Sequence, residues 1–264
     1  MRKLQLLGAA AAASVLTALA AVAGLAEAQA EVAPTNTTPP SISGTPRDGE
    51  TLTASDGTWT GTDPIEYSYQ WQRCDGNGLN CANLAGATGR TYAVQTSDVN
   101  NRLRVVVTAK NVTGSTTANS QPTAVVTPPE GATRLSDGRY SIPASSVRLP
   151  HRLVISGVEF VPSVIRSRVP YTGRFRVTDT RGYIVRDAIV LVTGVPLGWI
   201  QAPAEVRTNV DGLATLQIQP TTRLRLVRGG SMVKFIRARK EGDNLLAGVS
   251  TRRLVRVRTA KPSS

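Results

Sequence analysis

The stretch Tyr67-Ser68-Tyr69-Gln70-Trp71-Gln72-Arg73-Cys74, followed by a second cysteine at Cys81, decides the fold of this 264-residue chain. Three aromatic residues and then Arg73 occupy every second position, and serine and glutamine occupy the positions between them. This period of two predicts a β-strand with one aromatic face and one polar face. A tryptophan in mid-strand, beside a pair of cysteines, is typical of the core of a small extracellular β-sandwich. The stretch therefore favours a binding or spacer module over an enzyme.

Cys74 and Cys81 are the only cysteines in the chain. In a secreted protein such a pair predicts a disulfide, here one that closes a short loop between two strands. Six residues separate the pair, a longer spacing than that of redox-active cysteines. The single histidine, His151, has no second pair of ligands for zinc. No metal and no cofactor is therefore predicted.

Residues 1–30 have the parts of a secretory signal peptide. Arg2 and Lys3 form a charged start, an apolar run extends from Leu4 to Leu25, and two A-x-A motifs end at residues 28 and 30. We therefore expect cleavage, and a protein that is secreted, extracellular or associated with the cell envelope. The apolar run is long for a signal peptide, so an uncleaved anchor is the alternative. Only in that case is a membrane an expected partner.

The chain after residue 30 divides at proline-rich stretches. Residues 31–40 (EVAPTNTTPP) are expected to be an extended lead-in, and Thr127-Pro128-Pro129-Glu130-Gly131 predicts a stiff joint. The predicted order is a first module at 41–127, a proline-rich linker or edge strand at 128–150, a basic second module at 151–260 and a tail at 261–264.

Both modules are predicted to be all-β, because short alternating segments follow one another at regular intervals between Gly, Asn and Asp turns. The first module has strand candidates at 41–44, 51–54, 67–74, 92–94, 103–111 and 113–126. The second has them at 152–158, 173–179, 188–193, 206–209, 214–220, 232–240 and 252–258. No segment of the two modules shows a sustained helical period. Many short strands around a central tryptophan predict an immunoglobulin-like (Ig-like) β-sandwich in the first module, and alternation predicts a second all-β sandwich after it, so the expected fold is two tandem Ig-like β-sandwiches.

The first module resembles the Ig-like repeats of secreted actinobacterial proteins. The matching segments are PPSISGTPRDGETLTASDGTWTG (39–61), YSYQWQRCDGNGLNCANLAGAT (67–88) and TYAVQTSDVNNRLRVVVTAKNVTGS (91–115). The match covers nearly the whole module, although Asn100 stands where such repeats often carry glycine. The resemblance implies a structural or adhesive module with no catalytic residues.

The second module resembles the bacterial Ig-like domains of invasin-type adhesins, or the related carboxypeptidase-regulatory-like sandwich. The matching segments are VTDTRGYIVRDAIVLVTG (177–194) and VRTNVDGLATLQI (206–218), about half of the module. Gly182 and Gly212 are expected to supply positive φ in its turns. Asp179 and Asp211 lie at those turns. Single aspartates beside glycine favour turn-stabilising bonds over a calcium site.

Charge separates the two halves of the chain. Residues 31–127 contain 6 basic and 8 acidic residues, whereas residues 128–264 contain 23 basic and 9 acidic ones, a net charge of +14. Any anion-binding role therefore belongs to the second module. The candidate anion-binding residues are Arg223, Arg225, Arg237, Arg239, Arg252, Arg253, Arg256 and Arg258. The alternative is that these arginines only keep the sheet soluble and block edge pairing.

No catalytic motif accompanies His151, so no enzyme activity is predicted. The expected function is a secreted or cell-surface adhesion or structural module, which docks an anionic cell-envelope polymer or another surface protein. A carbohydrate-binding accessory protein is the alternative, with Trp59, Trp199 and Tyr183 as stacking candidates. No nucleotide is expected. Nucleic acid is a weaker partner, because Phe235 is the main ring near the arginines and a stacking platform needs several.

Overall fold

The computed structural model describes residues 30–262, and almost all of their regular structure is β-strand. The predicted signal peptide lies outside the described residues except for Ala30, and so do the last two residues of the predicted tail. Between residues 30 and 262 no helix is long and apolar enough to cross a membrane.

The first sandwich is built from strands whose hydrogen-bonded order is β2-β3-β7 in one sheet and β6-β5-β8-β9 in the other. A separate two-stranded antiparallel sheet pairs β1, which lies in the lead-in, with β4, which precedes β5. The strands are β1 (Thr35–Thr38), β2 (Ile42–Ser43), β3 (Thr51–Ala54), β4 (Thr58–Thr60), β5 (Glu66–Cys74), β6 (Ala82–Asn83), β7 (Thr91–Ala93), β8 (Arg102–Lys110) and β9 (Ser115–Asn119). This strand order, with a tryptophan at the centre of β5, is Ig-like, as the sequence predicts.

Trp71 forms the centre of this first core. Its side chain is fully buried, its indole Nε1 donates to the carbonyl of Gly89 over 2.9 Å, and its ring stacks on Tyr92 at 5.5 Å between centroids. The other aromatic residues of β5 are graded in exposure, since Tyr69 is half-buried and Tyr67 is exposed. The aromatic face predicted from the sequence therefore enters the core fully at Trp71, packs against it at Tyr69 and leaves Tyr67 exposed.

The predicted disulfide between Cys74 and Cys81 is confirmed, with 3.9 Å between the two Cα atoms. The loop that it closes is also held by Asp75, whose carboxylate accepts hydrogen bonds from the backbone N–H groups of Asn77 and Leu79. The bond from Leu79 is the main reason why the pKa of Asp75 lies below its usual range. The disulfide thus ties together a loop whose turn is already hydrogen-bonded.

The predicted strand at 113–126 is shorter in the structure, because β9 ends at Asn119. Beyond it the chain still follows β8, but hydroxyl groups replace backbone acceptors: Ser120 Oγ accepts from the N–H of Val105, and Thr123 Oγ1 accepts from that of Leu103. Pro122 lies between them and has no N–H to donate to a regular ladder.

The second sandwich has sheets in the order β10-β11-β15-β14-β12, with β18 also on β14, and β13-β20-β19-β16-β17. Its strands are β10 (Thr133–Arg134), β11 (Tyr140–Pro143), β12 (Leu153–Val161), β13 (Val164–Ile165), β14 (Tyr171–Asp179), β15 (Ile184–Arg186), β16 (Ile189–Val195), β17 (Val206–Arg207), β18 (Leu213–Ile218), β19 (Ser231–Arg239) and β20 (Thr251–Thr259). Gly182 and Gly212 have φ of +94° and +70°, as predicted.

The segment 128–150 contributes directly to this second sandwich. β11 pairs in parallel with β15, and Ile142 and Val147 are fully buried in the second core. Two separate apolar clusters result. One is drawn from residues between Leu52 and Val126, and the other from residues between Ile142 and Val257.

Strand alternation decides what the sheet β13-β20-β19-β16-β17 presents on each face. In β19, Met232, Lys234, Ile236 and Ala238 are buried, whereas the residues between them point outward and are half-exposed. The register pairs each outward residue of β19 with an outward residue of β20. The outward face of this sheet therefore collects most of the predicted arginines.

Candidate functional site

The outer face of the sheet β13-β20-β19-β16-β17 is the candidate site, and we call it the arginine face. Three neighbouring strands form it, and their cross-strand partners are fixed by the ladders between β16, β19 and β20. Its residues are Arg252, Leu254, Arg256 and Arg258 of β20, Val233, Phe235, Arg237 and Arg239 of β19, and Leu191, Thr193 and Val195 of β16.

Arg252, Arg256 and Arg258 are the exposed cations of this face. Within the described part of the chain, no carboxylate lies within ion-pair distance of any of the three. Arg252 Nη2 donates to the carbonyl of Leu245 over 3.3 Å, but the positive charge of all three guanidinium groups is left without a carboxylate partner among the described residues. An arginine fork binds carboxylates and phosphates in two parallel hydrogen bonds.

Arg237 and Arg239 lie on the same face but share one acidic partner. Glu205 is 2.6 Å from Nη2 of Arg239 and 3.5 Å from Nη2 of Arg237. The hydrogen bond from Arg239 is the main reason why the pKa of Glu205 lies below its usual range. This part of the face is therefore partly neutralised, and Arg252, Arg256 and Arg258 carry most of its unpaired charge.

Arg253 does not lie on the outer face, which corrects the sequence-based expectation. It pairs with the buried Ile236, so its side chain starts on the inward side of β20. Its Nη1 donates to the carbonyl of Ile155, on a strand of the opposite sheet, over 2.7 Å. Arg253 thus links β20 to the opposite sheet and, although exposed, does not lie on the outer face with Arg252 and Arg256.

Replacing Arg253 with valine is expected to promote self-association. Among the described residues β20 pairs with β13 only at Arg258 and Thr259, so its remaining edge is open, and an inward-pointing charge is one way to protect such an edge. Size-exclusion chromatography at high protein concentration should show dimers or larger species for Arg253→Val. The outward substitution Arg252→Val is the control, and equal association of both variants would contradict this role.

Arg223 and Arg225 are also separate from the arginine face. They are exposed in the loop between β18 and β19, where Leu224 is buried and its carbonyl accepts a hydrogen bond from Arg168. The structure thus brings together five of the eight predicted arginines: Arg237, Arg239, Arg252, Arg256 and Arg258.

An apolar strip crosses the middle of the arginine face, and sequence reasoning missed it as a feature of the site. Val195 pairs with Val233 across β16 and β19, and Phe235 pairs with Leu254 across β19 and β20. Leu254 is 66% exposed and Val195 46% exposed. The strip was detectable, because the outward positions of β19 read Val233 and Phe235 before they turn to arginine.

A second polar cluster lies between the two sandwiches. Asp48, in a turn of the first sandwich, accepts hydrogen bonds from Thr96 Oγ1 at 2.7 Å and from Tyr183 Oη at 2.8 Å. Arg181 places Nη1 3.5 Å from Asp48 and Nε 2.8 Å from Asp179. The side chains of Asp48 and Arg181 are only 1% and 7% exposed. We call these five residues the junction network.

The junction network lies beside a cleft of about 440 Å³. The residues that line the cleft include Arg47, Glu50, Glu130, Arg148, His151 and Arg181. Several of these groups already contact one another or a neighbour. Arg47 is 3.6 Å from Glu130, and His151 Nδ1 is 3.5 Å from the hydroxyl of Thr180. The cleft is the seam between the sandwiches, and its polar groups contribute to their contact.

Asp179 stabilises its own turn, which is the role that the sequence favours over calcium binding. Its carboxylate accepts from the backbone N–H groups of Arg181 and Tyr183, in addition to the guanidinium of Arg181. Asp211 is exposed at the next such turn, where Asn209 is the hydrogen-bond acceptor. Among residues 30–262, no three His, Cys, Asp or Glu side chains are close enough together to hold a metal ion.

The three aromatic residues considered for sugar stacking do not form a platform. Trp59 packs against the first core, and Trp199 packs against the second. Tyr183 is buried in the junction network. The structure therefore does not bring these rings onto one exposed face.

Comparisons with known proteins do not assign a family to the chain. No family model matches it, and no curated protein matches it. Among solved structures, the titin domains Z1Z2 in complex with telethonin are 14% identical over 88% of this chain and 98% of theirs, with a TM-score of 0.29. The FN1–FN3 domains of chicken CNTN1 are 14% identical over 87% of this chain and 68% of theirs, with a TM-score of 0.34. TM-scores this low do not establish a shared overall arrangement, so the Ig-like fold rests on the strand orders and cores described above.

Proposed function

We propose that this protein is a non-catalytic adhesion or structural module, secreted or held at the cell surface, which docks an anionic partner such as an envelope polymer through the arginine face. One observation carries the proposal: Arg252, Arg256 and Arg258 are exposed in one row, and no carboxylate among the described residues pairs with them. A row used only for solubility would not need to concentrate unpaired charge on one face.

The balance of charge supports the same surface. The net charge of +14 on residues 128–264 is set against a net charge of −2 on residues 31–127, so the second sandwich attracts polyanions and the first does not. Attraction of this kind weakens as salt screens the charges, with a screening length of about 8 Å at physiological ionic strength. Docking through this face should therefore depend strongly on salt.

Carbohydrate binding by aromatic stacking is not favoured, because Trp59, Trp199 and Tyr183 are separated and largely occupied in cores. An acidic polysaccharide remains within the proposal, since it is recognised through its carboxylates or phosphates and does not need a stacked ring.

The triple substitution of Arg252, Arg256 and Arg258 by glutamine is expected to weaken binding to immobilised poly-glutamate by about 10–100-fold, if each contact contributes roughly 0.5–1 kcal/mol. Surface plasmon resonance in low and high salt would measure this loss. The parent protein should also lose most of its binding in high salt.

A matched control keeps the same change in net charge but moves it to the opposite sheet. Arg134, Arg174 and Arg176 belong to the sheet β10-β11-β15-β14-β12, and their replacement by glutamine should change poly-glutamate binding far less. If both triple variants lost the same affinity, binding would follow net charge alone, and the arginine face would not be a site.

A further inference from the structure

We propose that the partner of the arginine face is a protein whose contact patch has an apolar centre ringed by aspartate and glutamate. This inference rests on the proposed function and specifies the class of anion. It is drawn from the apolar strip of Val195, Val233, Phe235 and Leu254, which lies between two groups of arginines on the same face.

The register fixes this arrangement. On one side of the strip, Arg256 lies opposite Val233, and Arg258 lies two residues further along β20. On the other side, Arg252 lies opposite Arg237. The strip therefore has cations at both of its borders, whereas the pairs that join its own members, Val195 with Val233 and Phe235 with Leu254, are apolar on both sides.

An apolar centre with a charged rim is the general form of a protein–protein contact surface. Burial of the centre supplies most of the affinity, and rim charges select the partner and speed its approach. Four apolar side chains contiguous across three strands are more than the scattered exposed apolar residues that any protein surface carries.

Other occupants fit the same observations less well. A purely anionic polymer would use the arginines and leave the strip in water. A second copy of the chain, paired through the same face, would bring Arg252 and Arg256 against like charges. A lipid surface needs apolar side chains that protrude into the bilayer, whereas Val233 and Phe235 are half-buried in the sheet.

Three probes separate these occupants: poly-glutamate, a random glutamate–tyrosine copolymer of similar length, and phosphatidylcholine vesicles that contain phosphatidylglycerol. The parent protein should bind the copolymer at least about threefold more tightly than poly-glutamate, a difference of about 0.7 kcal/mol. Leu254→Ser should remove this preference and leave poly-glutamate binding unchanged. Leu79→Ser, at a residue of the first sandwich with a similar exposure of 64%, is the control and should keep the preference.

The outcomes distinguish this inference from the proposed function. Equal binding of both polymers by the parent, or an unchanged preference in Leu254→Ser, would overturn the inference and leave the anion-binding face in place. Vesicle binding that depends on Leu254 would overturn it in favour of a lipid surface. Failure of the proposed function looks different, because the arginine triple variant would then bind poly-glutamate as the parent does, or no more weakly than the control triple variant of the opposite sheet. The double variant Phe235→Ser, Leu254→Ser should lower copolymer binding further, and circular dichroism would show that it is folded.

Discussion

Replacement of Arg181 by methionine is expected to lower the free energy of unfolding by about 3–5 kcal/mol, because it leaves buried carboxylates without their cation. Arg181 is the only cation of the junction network and contacts both Asp48 and Asp179. The carboxylates of both residues are almost completely excluded from solvent. The hydrogen bonds from Thr96 and Tyr183 remain in the variant but do not neutralise the charge.

The position of Arg181 makes this loss larger than that of an ordinary ion pair. Its guanidinium joins a turn of the first sandwich to the turn between β14 and β15 of the second, and it also lies 5.1 Å from the centroid of the Tyr183 ring. Its removal should therefore loosen the contact between the sandwiches as well as destabilise the second one. Calorimetry should show a lower and broader transition, or two separate transitions.

A double-mutant cycle with Asp48→Asn tests the contact itself. The amide keeps the shape of the carboxylate and removes its charge, so Arg181→Met should cost less in that background, with a coupling energy of about 1–3 kcal/mol. Arg181→Lys should recover only part of the stability, because one ammonium does not reproduce a fork that reaches two carboxylates. A cost below about 1 kcal/mol for Arg181→Met, in line with an exposed ion pair, would show that the network is open to solvent in solution.

The long strands could be predicted from the sequence because alternation is a local signal. The pattern at Leu103–Lys110 is matched by β8, and the pattern at Tyr67–Cys74 is matched by β5. Short strands such as β1 (TNTT) and β10 (TR) carry too few residues to alternate, and their place is set by a partner distant in sequence. The parallel pairing of β11 with β15 has no local signal at all.

The candidate site was predictable in part, for the same reason. Arg252, Arg256 and Arg258 share one parity of β20, and that parity faces outward. Arg253 has the parity of Val255 and Val257, so the sequence already contained the evidence against its place on the outer face. The junction network was beyond prediction, because Asp48 and Tyr183 are 135 residues apart and each lies in a polar turn.

Replacement of Lys234 by methionine is the second substitution for which we expect a large effect, and here the protein should become more stable. Lys234 lies on the inward side of β19, between Met232 and Ile236, and its side chain is fully buried. Its Nζ has no hydrogen-bond partner among the described residues and lies 4.9 Å from the centroid of the Tyr171 ring. Methionine has a similar length and carries no charge that must be desolvated.

The sign of the pH dependence follows from the pKa of this lysine. Burial lowers the pKa of Lys234 to about 7, whereas the unfolded chain keeps an ordinary value near 10.5. Between these two values the unfolded state binds one proton more than the folded state, so stability rises with pH by up to about 1.4 kcal/mol per pH unit. The penalty is present in full below pH 7 and disappears as pH approaches 10.5. At neutral pH the Lys234→Met variant should therefore be more stable by about 2–4 kcal/mol.

Tyrosines act in the opposite direction at higher pH, so the comparison with the parent is essential. Burial raises the pKa of Tyr171 and Tyr183 above the ordinary value of 10, and above that pH the unfolded state releases protons that the folded state retains. Both proteins should lose stability there. Only the parent should gain stability between pH 7 and about 10, and urea denaturation at several pH values would show the difference.

Lys110→Met provides the control, because it makes the same chemical change at the exposed end of β8 and should shift neither the stability nor its pH dependence by much. The contrary result is a Lys234→Met variant that is no more stable than the parent and shows the same slope of stability against pH between pH 7 and 10. The Lys234 amine of the parent would then have to reach solvent or a hydrogen-bond partner in solution. A gain of stability with loss of the slope would show instead that the second sandwich keeps a lysine in its core at a cost. Packing alone would not select that residue, because methionine fills the same space.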